Sequence, residues 1–179
     1  MELYHFSPEL LFYWLVAYSV FQWLSINIIL LFSNNRFNAP IEYYSKIPSI
    51  ISISSDFIYS TIILITGHLI FKAFEDFKFI NKYNELTKII IFILLIIIIQ
   101  WIYDLIFAYV IYKSPSKYSK YIDLFKIYIK EASFGAVIAD TIWITLYLLT
   151  TLLFIKYLSL PVAALILFIS LFIWLVVKY

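Results

Sequence analysis

Three aspartates, Asp56, Asp104 and Asp140, stand inside long apolar segments of this 179-residue chain. A carboxylate at the depth of a membrane core is costly unless it is paired, protonated or in contact with water, so such residues commonly mark ion pathways or proton relays. Clustered acids also repel one another, so at least one of them is expected to carry an exchangeable proton. The three aspartates are therefore candidate residues for binding protons or small cations.

The segments around these acids are long enough to cross a bilayer. Hydrophobic residues make up 64% of the chain and charged residues 13%, against about 45–50% and about 25% in a soluble domain. A spanning helix needs about 20 largely apolar residues, and five stretches qualify: 10–32, 47–71, 89–112, 132–155 and 158–177. The sequence predicts an all-α, polytopic transmembrane helix bundle with five spans in a single domain, 1–179. Because only two residues separate the last two stretches, a re-entrant or interfacial final segment is the alternative.

Composition excludes several classes of function. A net charge of +2 is too small to indicate nucleic-acid binding, and the chain contains no cysteine, which removes thiolate metal sites and thiol catalysis. The sequence contains no nucleotide-binding or zinc-finger motif, and no cofactor is expected. The expected partners are the lipid bilayer, protons or small cations, and further copies of the chain in a homo-oligomer.

The charges outside the spans predict an orientation. The first and third loops and the C-terminus carry eight lysine or arginine residues, against five in the remaining loops. The more basic side is expected to be cytoplasmic, with the N-terminus outside and the C-terminus inside. Counted from that side at 1.5 Å per residue, all three aspartates lie roughly 12–14 Å deep, so they share one level of the bundle.

Neutral polar residues extend the acidic level. Gln100 lies four residues before Asp104, on the same helix face, and Asn27 falls in the same half of the first span. Both are predicted ligands beside the acids. His68 lies near the opposite surface and could continue a proton path; a histidine that simply sits at the headgroup level is the alternative.

The third loop is predicted to contain an amphipathic helix. Apolar residues at 121, 124, 125 and 128 recur at helical spacing with lysines interleaved, which is typical of a helix lying in the membrane interface. An extension of the fourth span, with its lysines at the headgroups, is the alternative.

The two halves of the chain also resemble each other, over 10–71 and 89–155. A Gln-Trp pair at 22–23 matches one at 100–101, and Asp56 matches Asp140. Parallel repeats occur in transporter folds, which place their sites at the repeat interface. The match predicts two repeated helical hairpins followed by one C-terminal helix, with chance similarity of apolar segments as the alternative.

Three functions fit these features. The first, which we favour, is conduction or transport of protons or cations, a divalent cation with oxygen ligands included. The second is a structural or assembly role, in which buried acids hold the bundle together at about 0.6 kcal/mol per hydrogen bond. The third is a bilayer-embedded enzyme with paired carboxylates. The chain has only two histidines and no glycine beside any of the three aspartates, which disfavours the enzyme.

The run from Asp123 to Asp140, DLFKIYIKEASFGAVIAD, resembles a pattern in small multi-pass membrane proteins encoded by large DNA viruses of protists. In that pattern an Asp, a Phe-Lys pair, a Tyr, a Glu, a Gly and an Ala-Asp pair recur at similar spacing. The resemblance implies a viral origin, a host or virion membrane as location, and one site shared by Glu131, Asp104 and Asp140. It implies no activity, because none is assigned to those proteins. The first half departs from the pattern, with Asn27 near the position of an acid.

Overall fold

The structure, a computed structural model, describes residues 2–32, 49–119 and 121–176, without the side chains of 23–32, 49–53, 118 and 174–176. Within these ranges the chain forms six α-helices and one short 3-10 helix, and no strand. The elements are α1 (Pro8–Phe32), α2 (Ser49–Asp76), α3 (Glu85–Lys113), the 3-10 helix (Ser116–Tyr118), α4 (Ile122–Ala132), α5 (Phe134–Tyr157) and α6 (Leu160–Val176). The predicted all-α class is confirmed.

Three of these helices are long and apolar enough to cross a membrane: α2 over Ser54–Asp76, the whole of α3, and the whole of α5. Helix α1 has 25 residues, but its side chains beyond Gln22 lie outside the described part. The described apolar part of α6, Leu160–Ile173, is shorter than the roughly 20 residues of a full span. The described residues therefore support a membrane-embedded helical protein with three spans, rather than the five predicted.

Helix α1 packs against the C-terminal end of the chain. It lies along α5 and α6 and reaches α2 mainly through side chains, whereas α2 packs on α3, and α3 on α4 and α5. The α1–α5 contact is aromatic: the rings of Trp14 and Tyr147 meet edge to face at 5.9 Å. The Tyr13 hydroxyl donates to Leu158 O at 2.8 Å and fixes the start of α6. Packing and hydrogen bonds of this kind must hold the helices together, because the hydrophobic effect does not drive helix association in lipid.

A close approach between α2 and α3 is centred on Gly67. A Cβ atom at this position would overlap Cδ1 of Ile96, a side chain that is fully buried. Small residues let helices approach closely in lipid. Gly67 therefore sets the distance between the two helices that carry Asp56 and Asp104.

Local hydrogen bonds define the turn between α2 and α3. The Phe79 N–H donates to Phe74 O, and the Lys78 N–H to Glu75 O, both at 2.9 Å. This is the Schellman pattern of a helix end, in which the residue at the position of Lys78 takes a positive φ, here 59°. Helix α3 then begins at an Asn84 cap, whose Oδ1 accepts from the Thr87 N–H at 2.9 Å.

The predicted amphipathic helix of the third loop is present as α4, and it is a separate helix. It ends at Ser133, whose backbone (φ 48°, ψ −135°) interrupts the helical path before α5 begins at Phe134. The Ser133 N–H still donates to Ile129 O at 2.9 Å, closing the last turn of α4. The alternative, a continuous extension of the fourth span, is therefore wrong.

At the other end of the bundle the N-terminal segment packs over α2 and α3. Lys88 Nζ lies 3.4 Å from Glu75 Oε1 and 5.5 Å from the ring centroid of Tyr4. Burial and then the neighbouring Glu2 carboxylate raise the pKa of Tyr4 to about 12. These contacts fasten the first residues of the chain to the turn between α2 and α3.

Candidate functional site

The three aspartates lie together in the described bundle. Asp56 and Asp104 are close enough for their charges to act on Asp140. Asp56 and Asp104 are half-buried, whereas Asp140 is exposed at the surface of the chain. Among the described residues, none hydrogen-bonds the Asp140 side chain. The cluster thus contains two carboxylates held by protein groups and one that none of the described residues hydrogen-bonds.

Asp104 is held by donors from two helices. The Tyr59 hydroxyl of α2 donates to its Oδ1 at 2.6 Å, and Gln100 Nε2, one turn earlier on α3, donates to its Oδ2. Tyr59 in turn packs its ring against Tyr103 and Phe107 of α3. Because both carboxylate oxygens have a donor, Asp104 is fixed between α2 and α3.

Gln100 extends this network to α5. Its side chain is 1% exposed, and its Oε1 accepts from Thr141 Oγ1 at 3.0 Å. Thr141 Oγ1 itself accepts from Trp101 Nε1 at 2.7 Å. Since Thr141 directly follows Asp140, these bonds connect the Asp104 carboxylate to the part of α5 that carries Asp140.

A second glutamine makes the corresponding link on the other side. Gln22 of α1 is 5% exposed; its Nε2 donates to Asp56 Oδ2 at 3.1 Å. Its Oε1 accepts from the Tyr147 hydroxyl of α5 at 3.0 Å. The Gln22 amide therefore joins three helices: from α1, its NH2 group donates to α2 and its carbonyl oxygen accepts from α5.

Tyr128 of α4 brings the amphipathic helix to the acids. Burial, followed by the negative charges of Asp140, Asp56 and Asp104, raises the pKa of the Tyr128 phenol. Its hydroxyl therefore stays protonated at neutral pH and remains a hydrogen-bond donor beside the carboxylates.

Other predicted site residues lie elsewhere or outside the described part. His68 is buried, with Nδ1 2.8 Å from Leu64 O and Nε2 3.1 Å from Leu3 O, so it ties the N-terminal segment to α2. Glu131 is exposed near the end of α4. The Asn27 side chain lies outside the described residues.

Five residues of the network were not predicted as site residues: Gln22, Tyr59, Trp101, Thr141 and Tyr147. A signal existed for two of them. Gln22 matches Gln100 in the internal comparison, and Tyr147 lies seven residues after Asp140, two turns along one face of α5. For Thr141 the apolar surroundings gave no indication.

The cluster has no further metal ligands of the usual kinds. Across the described residues, no group of three or more histidine, aspartate or glutamate side chains is arranged to hold a metal ion. The carboxylates can bind and release protons or attract cations, and the phenol of Tyr59 donates a hydrogen bond to one of them.

Comparison with known proteins gives no relative from which to transfer a function: the chain matches no family model, no curated protein and no solved structure.

Proposed function

We propose that the protein is an integral membrane protein that binds and moves protons or small cations through its carboxylate cluster. The observation that carries this proposal is the Asp140 carboxylate, which none of the described residues hydrogen-bonds, within reach of the charges of Asp56 and Asp104. Carboxylates inside membranes relay protons or select cations.

The two held carboxylates support a pathway rather than an isolated binding site. The Tyr59 hydroxyl oxygen lies 2.6 Å from Asp104 Oδ1 and donates its hydrogen to it. Gln22 and Gln100 donate amide hydrogens to Asp56 and Asp104, and they orient those carboxylates without adding charge. An ion or proton arriving at Asp140 would therefore find carboxylates held in fixed positions near it.

A structural role is the second candidate, and the Gln22 contacts favour it. One amide joins α1, α2 and α5, as expected where polar side chains hold helices together in lipid. In this role the acids would stabilise the bundle and no ion would pass. An enzymatic role receives no such support from the described contacts.

Ion flux into liposomes separates the two candidates. The purified protein is reconstituted with an internal pH-sensitive dye, and proton uptake is recorded under a set potential and under sodium or potassium gradients. Asp104→Asn and Asp140→Asn are each expected to reduce the flux at least tenfold. Asp76→Asn, which removes an exposed acid at the end of α2, should leave it unchanged.

The folded state of each variant is checked by circular dichroism and thermal unfolding. Absence of flux in the wild-type protein, together with lower thermal stability of both cluster variants, would overturn the transport proposal and support the structural role. Equal flux in the wild type and in both cluster variants would show a pathway that does not use these acids.

The proposal includes a five-span topology with the N-terminus outside. Helix α1 is supported as a span by its 25 residues and by its packing along α5. Because the chain contains no cysteine, single cysteines introduced at positions 5, 82, 117 and 178 report their side of the membrane directly. Labelling by an impermeant maleimide should mark 5 and 82 from one side and 117 and 178 from the other.

From the resemblance to viral multi-pass proteins we propose that Glu131 acts with the aspartates. Glu131→Gln should therefore also reduce the flux. Glu131 is exposed on α4, so this substitution tests function with little effect on packing.

A further inference from the structure

We infer that the protein carries a binding site for the headgroup of an anionic phospholipid at the outer face of α4. The site is a pocket of about 400 Å³ lined by Tyr112, at the end of α3, and by Lys126, Ile127, Ile129 and Lys130 of α4. This inference does not depend on the proposed ion pathway.

The arrangement of α4 separates two surfaces. Lys126 and Lys130 are one turn apart and share a face, whereas Tyr128, two residues from each, lies on the opposite face. Tyr128 lies within reach of the charges of the three aspartates. The lysines therefore point away from the acidic cluster and line the pocket.

The positive charge of this region favours an anionic partner. Between residues 113 and 131 the chain has five lysines and two acidic residues. Among the described residues, no carboxylate forms an ion pair with Lys126 or Lys130. Two unneutralised ammonium groups beside one pocket fit a phosphate group, which a lysine binds as a point charge.

The remaining lining identifies the anion as a lipid. Ile127 and Ile129 give the pocket an apolar side, and Tyr112 adds an aromatic ring with a hydroxyl group. Tyrosines of this kind occur at the headgroup level of membranes. A soluble anion would gain nothing from the isoleucines, whereas a phospholipid contacts them with the upper part of its acyl chains.

Lipid binding to the purified protein in dodecyl maltoside tests this inference. Native mass spectrometry gives the apparent Kd for dioleoylphosphatidylglycerol and for dioleoylphosphatidylcholine. We expect tighter binding of phosphatidylglycerol, weakened by added salt as for any exposed ionic contact. The Lys126→Gln/Lys130→Gln variant should lose about thirtyfold in affinity for phosphatidylglycerol, given about 1 kcal/mol per lysine near an anionic surface.

Two further variants make the result specific. Lys72→Gln/Lys82→Gln removes two exposed lysines at the other end of the bundle and should leave the Kd unchanged. Lys126→Arg/Lys130→Arg keeps the charge and should keep the affinity. Equal Kd values for the two lipids in the wild type, an unchanged Kd in the double glutamine variant, or full displacement by inorganic phosphate would each overturn the inference.

Discussion

The hydrogen bond between Tyr59 and Asp104 gives the sharpest test of how the cluster is held. Its length, 2.6 Å, falls within the range of about 2.5–2.7 Å for a hydroxyl donating to an ionised oxygen. Hydrogen bonds to charged groups contribute about 1.5–3 kcal/mol in soluble proteins, and those between membrane helices reach about 1.7 kcal/mol. We therefore expect a coupling energy of about 1.5 kcal/mol between the two side chains.

A double-mutant cycle measures this coupling. Tyr59→Phe, Asp104→Ala and the double variant are unfolded in mixed micelles of sodium dodecyl sulfate and dodecyl maltoside, and the free energies of unfolding are compared. In the Asp104→Ala background, Tyr59→Phe should cost far less than it does in the wild type. Tyr109→Phe is the matched control, because Tyr109 lies on α3 with Asp104 and is 65% exposed. It should show no coupling to Asp104.

A coupling energy below about 0.3 kcal/mol would refute this reasoning, because sites that do not interact are additive to within that limit. It would mean that Asp104 does not depend on Tyr59 for its position. The link between α2 and α3 beside Asp104 would then have to come from packing and from the hydrogen bond between Thr66 Oγ1 and the Tyr103 hydroxyl, at 3.2 Å.

Three further predictions concern the scaffold around the cluster, each read as the free energy of unfolding in the same mixed micelles. Gly67→Ala should destabilise the protein by about 1–3 kcal/mol through overpacking against Ile96, and Ile96→Val, which removes the overlapping methyl group, should restore stability in that background; no recovery would show that another contact is responsible. Lys78→Gly should stabilise by about 1 kcal/mol, because glycine adopts a positive φ without strain, and a loss of stability would contradict the assigned helix end. Asn84→Ala should cost about 1 kcal/mol by removing the cap of the Thr87 N–H, while Asn84→Asp, which keeps the acceptor, should be nearly neutral.

Helix positions were predictable from the sequence because the apolar runs are long and uninterrupted. The fourth predicted span, 132–155, became α5, Phe134–Tyr157, and the amphipathic spacing in the third loop predicted α4. The break between them was not predictable. It falls at Ser133, a residue with no special preference for a positive φ, while the nearby Gly135 is an ordinary helical residue with open space around it.

For the candidate site, residue identity was informative and bonding geometry was not. A shared helix face was enough to associate Gln100 with Asp104, and the structure joins them directly. The partners from other helices, Tyr59 and Thr141, depend on how each helix is rotated about its axis. Spans that are apolar all round carry no periodicity from which that rotation could be read, so these contacts emerge only from packing.

The packing of α1 has a consequence for how the protein is made. Gln22 and its partner Tyr147 are separated by 125 residues, and at about 5–20 residues per second the ribosome needs roughly 6–25 s to synthesise that interval. During this time the Gln22 amide has Asp56 of α2 as a hydrogen-bond acceptor, but its Oε1 lacks the Tyr147 donor on α5. Assembly of the bundle is therefore completed late, when the last helices emerge, and a chain stalled before α5 would leave the Gln22 carbonyl in the bilayer without that donor.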